Sequence, residues 1–410
     1  MNTFFPIKKD PACLLKWSQV SLYLYDNTAS SCHRNKSHSV PDDYDFHNAP
    51  IQLEHRQKML NGQWPADGRG CEHCRDQEQF GGVSDRIQWL SSTSNERYVP
   101  RELYQDPTLL KVKPTQISVH FNNKCNLKCL YCGPELSSSW MKEKLKYEQG
   151  VDYGLDPWLL DTTYKDRLAK FYAWMEQNYS SLKAFDILGG EPFIQPECFD
   201  CIDWMIAHPN PDCDVEIYSN FQVKHELFKK NMEKVRQLAG TVREVCIVAS
   251  IDCYGPAAEY IRYGHDWATF EQNWLYFLQE CPEVKSTMNW TITSLSIPYT
   301  AELMRKIIVW DKEIRKTSVN LNKCVDPIIY DPHIMPQGFY AKHIEEILQL
   351  ADQMSSNDVY KKYVQGIFNE IDQSPAMPEK IKELKQRLTV LDSRRGTDWK
   401  VTFPWLVDIS

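Results

Sequence analysis

Long hydrophobic runs are absent from this chain of 410 residues, and none approaches the roughly 18 apolar residues that cross a membrane. The start, MNTFFPIKKDPACLLKW, is not expected to be an export signal, because lysines soon interrupt its short apolar stretch. Positive charge is not in excess, since 47 Lys and Arg face 55 Asp and Glu and leave a net charge of −8. These absences predict a globular cytoplasmic protein and argue against membrane insertion and broad nucleic-acid binding.

Cysteine, in contrast, is abundant, with fourteen residues. Disulfides suit small secreted chains, so metal or redox chemistry in a reducing compartment explains this number better. Seven cysteines lie at or before Cys132, which places the expected metal chemistry in the first third of the chain. Five later cysteines are predicted to pack as small buried hydrophobes, namely Cys198, Cys201, Cys213, Cys246 and Cys281.

Short β-rich runs alternate with helical stretches between residues 115 and 325. This alternation predicts parallel β-α-β units. Six strands are too few for a closed eight-stranded barrel. A partial barrel and an open doubly wound sheet are therefore the two candidate architectures. The predicted strands are 115–121, 184–189, 215–220, 242–252, 286–296 and 317–322, and the predicted helices lie near 162–178, 197–208, 224–239, 266–280 and 300–314.

The most specific motif is CNLKCLYC, in which Cys125, Cys129 and Cys132 form C-x3-C-x2-C directly after the first predicted strand. Three thiolates on a four-iron cube leave one iron open to an outside molecule, and an open site serves chemistry rather than structure. The carboxyl end of a parallel strand is also where barrel active sites are built. A zinc knuckle or a chance clustering of cysteines is the alternative.

With the aromatic Tyr131 before its last cysteine, this motif resembles the signature of the radical S-adenosylmethionine (SAM) superfamily. The resemblance implies a [4Fe–4S] cluster on the three cysteines, with the amino and carboxylate groups of SAM on the fourth iron. It implies that one electron cleaves SAM to methionine and a 5′-deoxyadenosyl radical, which abstracts a hydrogen atom from a substrate. It also implies an electron donor such as flavodoxin or ferredoxin.

Further resemblance to SAM-binding elements follows the next predicted strands. Gly189, Gly190, Glu191 and Pro192 resemble the family's GGEP motif, which binds the SAM amino group; the glycines permit close approach and the carboxylate accepts from an ammonium. Other polar residues follow the later predicted strands, and the alternative to a SAM contact for each of them is an ordinary structural role at a strand end. By resemblance, Arg262 is expected at the SAM carboxylate. The other expected SAM contacts are Tyr131, Ser219, Asn220, Ser250 and Asp252.

A second group of cysteines precedes the predicted barrel, and two of them form C-x2-C within GRGCEHCRDQEQFGG. Residues 1–110 look irregular and poor in periodic apolar residues, so we expect a metal to order them. An auxiliary [4Fe–4S] cluster is favoured over zinc and over no metal, with His33, His47 and His73 as alternative ligands. The predicted ligands are Cys13, Cys32, Cys71 and Cys74.

No cysteine follows Cys324, which departs from peptide-modifying relatives that carry auxiliary clusters in a C-terminal SPASM or twitch extension. The N-terminal cysteines are therefore the expected source of an auxiliary cluster. Cys253 and Cys324 lie near the ends of predicted strands. Each is a candidate catalytic hydrogen donor or cluster contact, with simple packing as the alternative.

The resemblance implies an α/β fold in three parts: a Cys-rich metal-binding segment (1–111), a partial (β/α)6 TIM barrel (112–328) and a helical C-terminal region (329–410). The segment YIRYG after SID, together with the extra cysteines, resembles radical SAM enzymes that modify ribosomally made peptides, spliceases among them. Such an enzyme would act on a precursor peptide, with a separate peptide-recognition protein as a further candidate partner. A small-molecule, nucleoside or tRNA substrate, and a noncatalytic zinc or iron–sulfur protein, are the alternatives.

Overall fold

The computed structural model describes residues 5–65, 67–68, 70–79, 83–148, 162–354, 358–373 and 375–409. By their internal contacts the residues form two compact units. The first unit comprises Met1–Asn123, Asp152–Ile217 and Gln237–Val245. The second comprises Lys124–Val151, Tyr218–Arg236 and Cys246–Ser410.

The strands confirm the predicted alternation and add three strands near the N-terminus. Five of the six predicted strands begin within one residue of the predicted start, whereas the third begins five residues earlier, at Asn210. The strands are β1 (Gln19–Tyr23), β2 (Thr28–Ser30), β3 (His38–Ser39), β4 (Gln116–His120), β5 (Lys128–Cys129), β6 (Ala184–Leu188), β7 (Asn210–Ser219), β8 (Val242–Ile251), β9 (Arg262–Tyr263), β10 (Lys285–Ile292) and β11 (Ser318–Lys323).

The five helices predicted between the strands are all present, with bounds within one residue of those expected. The α-helices are α1 (Leu15–Ser18), α2 (Pro50–Leu60), α3 (Cys71–Gln79), α4 (Asp85–Ser91), α5 (Glu102–Gln105), α6 (Ser138–Tyr147), α7 (Thr162–Asn178), α8 (Pro196–Ala207), α9 (His225–Ala239), α10 (Gly255–Ile261), α11 (Trp267–Glu280), α12 (Thr300–Glu313), α13 (Ala341–Met354), α14 (Asp358–Gln373), α15 (Pro378–Arg395) and α16 (Trp399–Thr402).

Local chemistry explains several helix bounds. Proline occupies the first turn of α8 and α15, where its missing N–H costs no hydrogen bond. The Asp266 carboxylate accepts from the backbone N–H of Thr269 and so caps the start of α11, at 2.7 Å. Gly396, with φ +70°, ends α15 in the left-handed conformation.

In the first unit, β7, β6, β4 and β1 pair in parallel in that order. Strands β2 and β3 extend the sheet from β1 in antiparallel pairing. One face of β4 and β6 is fully apolar, with Ile117, Val119, Phe185 and Ile187 completely buried. The opposite face is polar, and the Ser118 hydroxyl there donates to Asp186 at 2.7 Å.

In the second unit, β10 pairs in parallel with β8 on one side and with β11 on the other. These pairings and those of the first unit give a large, mostly parallel sheet with many helices, which confirms the predicted α/β class. The closure of this sheet as a partial barrel stays a prediction, as does the three-part division of the chain.

Residues 1–110 were expected to be irregular and poor in core, and that expectation is wrong. The described part of this segment contains five α-helices and three strands, and β1 pairs directly with β4. Their apolar side chains also form a core, which sequence periodicity missed because its members come from many short segments. The buried members are Phe5, Ile7, Ala12, Leu14, Trp17, Met59, Cys71, Val99, Leu103 and Val112.

The predicted helical C-terminal region is confirmed in the second unit, where α13, α14 and α15 follow one another. The apolar tail also docks as expected, with Trp399, Phe403 and Leu406 buried. The ring of Phe403 packs edge-on against Tyr260, with 5.1 Å between centroids. Among the described residues, no helix is long and apolar enough to cross a membrane.

Candidate active site and cysteine centres

The three-cysteine loop (residues 124–137) lies in the second unit and is held by a two-stranded ribbon. In this ribbon β5 pairs antiparallel with β9, so that Cys129 lies opposite Arg262. The backbone N–H of Leu130 continues the pairing to the carbonyl of Ile261, at 2.8 Å. The motif YIRYG is therefore the structural partner of CLYC, a pairing that sequence spacing alone did not reveal.

Hydrogen-bond donors point at the sulfurs of this loop. The backbone N–H of Leu127 lies 3.4 Å from Cys125 Sγ, and the amide of Asn220 lies 4.0 Å from the same atom. The Arg262 guanidinium lies 3.7 Å from Cys129 Sγ. Donors of this kind stabilise thiolates and tune iron–sulfur clusters, so the donor set fits a metal-bound state of the loop.

The thiols of this loop also affect one another's pKa. Burial raises the pKa of Cys132 well above its ordinary value, and the neighbouring Cys129 and Cys125 raise it further. If all three were ionised, they would need a positive centre to offset their mutual repulsion. Among the described residues, no three His, Cys, Asp or Glu side chains stand ready to hold a single metal ion.

Arg262, Asp252 and Tyr131 form a polar triad beside the loop, in which Arg262 and Asp252 are buried. The Tyr131 hydroxyl contacts both Asp252 carboxylate oxygens at 2.9 Å. Arg262 Nε lies 3.2 Å from Asp252 Oδ1, with side-chain exposures of 7% and 0%. Burial raises the pKa of Asp252, and Arg262 and Tyr131 oppose that rise. The structure thus brings together three residues that the sequence named as separate SAM contacts.

Helix α6 and helix α15 brace the loop from outside, and sequence analysis missed both contacts. Trp140 Nε1 donates to the carbonyl of Cys129 at 2.7 Å. The Arg395 guanidinium lies 4.5 Å from the centroid of the Trp140 ring and 3.2 Å from a Glu143 oxygen. Because Glu143 and Arg395 are 252 positions apart in the sequence, only the tertiary fold brings them together.

 

The turn after β7 holds two further predicted residues, Ser219 and Asn220. The Ser219 hydroxyl accepts from the backbone N–H of Phe221 at 3.0 Å, and Phe221 itself has φ +61°. The Asn220 amide donates to Asn126 Oδ1 at 3.0 Å, which ties this turn to the three-cysteine loop. Ser250 lies half-buried near the end of β8, opposite Asn289 of β10. A SAM contact of these residues stays a prediction.

The GGEP segment lies in the first unit, directly after β6. Gly189 has φ +88°, and a side chain there would meet His120 at about 3.0 Å, so glycine is required both by conformation and by space. Gly190 is also left-handed, with φ +56°. Glu191 is buried, and one of its carboxylate oxygens accepts from the backbone N–H of Phe193 at 3.0 Å.

His120, at the end of β4, is a polar residue that the sequence analysis did not name as a site residue. Its ring stacks on Tyr23 with 4.4 Å between centroids. Its Nδ1 atom is buried and has no hydrogen-bond partner among the described residues. Burial lowers the pKa of His120 to about 4, so the imidazole is neutral near pH 7. Its position beside Gly189 could have been found only from the strand register.

The N-terminal thiol site (Cys13, Cys32, Cys71 and Cys74) lies entirely in the first unit. The four thiols are brought near one another: burial raises the pKa of Cys13 most, and the neighbouring Cys32, Cys71 and Cys74 all raise it further. Burial also raises the pKa of Cys32, but His33, the Arg34 backbone and the Lys16 ammonium bring it below its ordinary value. The four cysteines therefore influence one another electrostatically within the first unit, and their role as ligands of one centre stays a prediction.

Hydrogen-bond donors also point at two of these four sulfurs. The backbone N–H of Arg34 lies 3.5 Å from Cys32 Sγ, and the amide of Asn35 lies 3.7 Å from Cys71 Sγ. Cys71 and Cys74 occupy the first turn of α3, where the helix dipole favours thiolates. Of the alternative histidine ligands, His33 lies 3.5 Å from Asp85, and the His47 ring contacts Trp17 and Arg56.

Gly70 explains how α3 approaches the segment that carries Cys32. It has φ +115°, and a side chain at this position would overlap the carbonyl oxygen of Arg34. Only glycine lets the two backbones meet this closely. Gly68 is a natural comparison, because it has φ +69° but nothing within 4 Å of the place a side chain would take.

Gly70→Ala is therefore expected to destabilise the protein by about 3 kcal/mol, as backbone strain and overpacking each contribute about 1–2 kcal/mol. Gly68→Ala should cost only the strain, about 1 kcal/mol. The thermal unfolding midpoints of the two variants measure this difference. Equal midpoints would contradict the close approach of α3 to Arg34.

All fourteen cysteines are free thiols, as expected for a chain without disulfides. The five predicted packing cysteines are buried, which confirms that prediction. The candidate catalytic cysteines are also buried: Cys253 is fully inaccessible, and Cys324 is 5% exposed with its sulfur 3.6 Å from the carbonyl of Asp326. A catalytic role for either stays a prediction.

Comparison with known proteins adds two similar solved structures. No protein-family model matches the chain, and no curated protein matches it. The structure of TYW1 with a lysine–pyruvate adduct bound is 14% identical, with a TM-score of 0.30, and the match covers 57% of this chain and 70% of that one. Streptococcus suis SuiB bound to precursor peptide SuiA is 14% identical, with a TM-score of 0.36, covering 73% of this chain and 59% of that one. At these scores the functional argument depends on the chain's own residues.

Proposed function

We propose that this chain is a radical SAM enzyme whose cluster is held by Cys125, Cys129 and Cys132. The observation that carries the proposal is the C-x3-C-x2-C loop, whose sulfurs receive N–H donors from Leu127, Asn220 and Arg262. Three protein thiolates suit a four-iron cluster that leaves one iron open for a ligand. When bound, that cluster supplies one electron that cleaves SAM to methionine and a 5′-deoxyadenosyl radical.

Within this proposal the chain's own residues bind and orient SAM. Arg262 is held by Asp252, so its guanidinium is fixed in direction before any ligand arrives. The remaining N–H groups of a guanidinium can then accept a carboxylate, the group that the SAM methionine moiety presents. Gly189 and Gly190 keep a backbone path clear beside the buried Glu191 carboxylate, which suits an ammonium.

The proposed substrate is a ribosomally made precursor peptide. The support is the sequence resemblance of YIRYG after SID, together with an extra set of four cysteines. A net charge of −8 weakens the tRNA alternative. The test is anaerobic incubation with SAM, reductant and candidate peptides from the gene neighbourhood, followed by mass spectrometry. A mass change in a small molecule but in none of the peptides would favour the alternative.

The proposed second centre is a [4Fe–4S] cluster on the N-terminal thiol site. Its support is a set of four neighbouring thiols, with hydrogen-bond donors pointing at two of the sulfurs. In a Cys125/Cys129/Cys132 triple alanine variant, about four irons per chain are expected after reconstitution, the content of one such cluster. They should disappear when Cys71 and Cys74 are also replaced. One zinc per chain would instead assign the site to zinc, and no metal would reject a centre there.

Glu191→Ala is expected to weaken SAM binding roughly tenfold to hundredfold, because a hydrogen bond to a charged group contributes about 1.5–3 kcal/mol. Iron content should not change, since Glu191 is not among the proposed cluster ligands. Asp200→Ala is the matched control, because Asp200 is an exposed carboxylate on nearby helix α8. Equilibrium binding of SAM to the reconstituted proteins measures the effect. Equal affinity in both variants would remove Glu191 from the SAM site.

A further inference from the structure

Lys16, in α1, is a buried cation of the first unit. Its side chain is almost wholly inaccessible, with the residue only 2% exposed. Its ammonium donates to the Ser31 hydroxyl at 2.9 Å and to His55 Nδ1 at 3.1 Å. Both partners are neutral acceptors, and no carboxylate among the described residues forms an ion pair with it. A buried ammonium in this state costs several kcal/mol unless an anion lies nearby.

His55 leads from Lys16 toward the surface. Its Nε2 atom lies 2.7 Å from a carboxylate oxygen of Asp67, whose side chain is 23% exposed. Because Nδ1 accepts from the ammonium, the ring is the neutral tautomer with its proton on Nε2. The carboxylate is thus separated from the ammonium by the whole imidazole ring, and it orients Lys16 without pairing with it.

Lys16 also lies close to the N-terminal thiol site, since its positive charge acts to lower the pKa of both Cys13 and Cys32. The backbone N–H of Lys16 donates to the carbonyl of Cys13 at 3.0 Å. Ser31, the hydroxyl partner of the ammonium, directly precedes Cys32 in the chain. An ammonium has three donors, and Ser31 and His55 use two of them. The positive charge of Lys16 therefore favours the thiolate forms of Cys13 and Cys32.

We propose that the Lys16 ammonium is the built-in counter-ion of an iron–sulfur centre on Cys13, Cys32, Cys71 and Cys74, and that His55 and Asp67 hold it in place. The inference rests on the proposed second centre. Four thiolates and a four-iron core carry a net charge of about −2, which becomes −3 when one electron is added and no bond is broken. A fixed positive charge stabilises the reduced state more than the oxidised one. Lys16 therefore raises the reduction potential of this centre.

The test is a redox titration of the full-length Cys125/Cys129/Cys132 triple alanine variant, in which only the N-terminal centre remains. Adding Lys16→Met should lower the ratio of reduced to oxidised centre at least tenfold at a given potential, a shift of 59 mV for one electron. Lys16→Gln, which keeps a donor for Ser31 and His55 but no charge, should shift it likewise. Lys58→Met is the matched control, because Lys58 pairs with Glu54 on the outer face of α2 and should leave the potential unchanged.

The outcomes separate the two proposals. A potential in Lys16→Met and Lys16→Gln equal to that of Lys58→Met would overturn the counter-ion and leave the centre standing. Absence of iron from the triple variant itself would overturn both the centre and its counter-ion. If Lys16→Met loses iron with an unchanged circular dichroism spectrum while Lys58→Met keeps it, the charge is needed for assembly, which supports the proposal. If Lys16→Met does not fold, the potential of Lys16→Gln decides between the two.

Discussion

Replacing Cys125, Cys129 and Cys132 together by alanine is expected to abolish the formation of 5′-deoxyadenosine from SAM. Each residue supplies one thiolate, so the triple variant has no ligand for the cluster that delivers the electron. The overall fold should remain, because the loop is also held by the β5–β9 pairing and by the Trp140 contact with the Cys129 carbonyl. Liquid chromatography with mass spectrometry measures 5′-deoxyadenosine, and circular dichroism measures the fold.

The matched control replaces three buried cysteines from other parts of the chain, Cys198, Cys201 and Cys281. These sulfurs pack in the core, so their loss should cost some stability but leave SAM cleavage intact. SAM cleavage at the wild-type rate in the Cys125/Cys129/Cys132 variant would contradict the cluster assignment. Loss of cleavage in the control variant, with its iron retained, would show that core packing limits the reaction.

Arg262→Ala is expected to cause the largest loss from a single substitution. It leaves the Asp252 carboxylate, which is fully buried, without its cation. Breaking a buried ion pair by removing one partner destabilises a protein by about 3–5 kcal/mol. The same change removes the proposed partner of the SAM carboxylate, so SAM affinity should fall roughly tenfold to hundredfold. Arg305→Ala is the control, since its ion pair with Glu346 is exposed and contributes about 0–1 kcal/mol.

A double variant separates these two effects of Arg262. In Arg262→Ala with Asp252→Asn, the uncompensated buried charge is gone, so much of the lost stability should return. SAM affinity should stay low, because no guanidinium is present to meet the SAM carboxylate. Thermal unfolding and equilibrium SAM binding measure the two quantities separately. Wild-type SAM affinity in the stable double variant would show that another residue holds the carboxylate.

The helices and strands between residues 115 and 325 were predictable because each is regular over enough residues for its period to show. Helix α11, for example, was expected at 266–280 and is Trp267–Glu280, with Asp266 as its cap. Strand β6 was expected at 184–189 and is Ala184–Leu188, with alternating burial. The early start of β7 was missed because the polar sequence NPDCD has little strand propensity.

The N-terminal segment was not predictable in the same way. Its β1 strand, QVSLY, is only five residues long, and it is stabilised by parallel pairing with β4 about a hundred residues later. Its core residues, such as Phe5 and Val99, come from distant short elements and so show no period. A local pattern cannot report contacts that depend on chain segments this far apart.

The same difference between local patterns and long-range contacts applies to the candidate site. The cysteines of the C-x3-C-x2-C and C-x2-C motifs could be proposed as ligands from the sequence, because the spacing within each motif is a local property of the chain. The residues that orient them were not, because they approach only in the folded chain. Arg395 near Glu143, and Lys16 near His55, are contacts of this kind. The pairing of Cys129 with Arg262 joins two motifs that the sequence identified separately.

The most direct test of the central claim is the reaction of the anaerobically reconstituted wild-type protein with SAM and a strong reductant. The account predicts 5′-deoxyadenosine in an amount that depends on the reductant, and none when the reductant or the iron is left out. Protein that retains its full complement of iron, binds SAM and still forms no 5′-deoxyadenosine with any reductant would contradict the account.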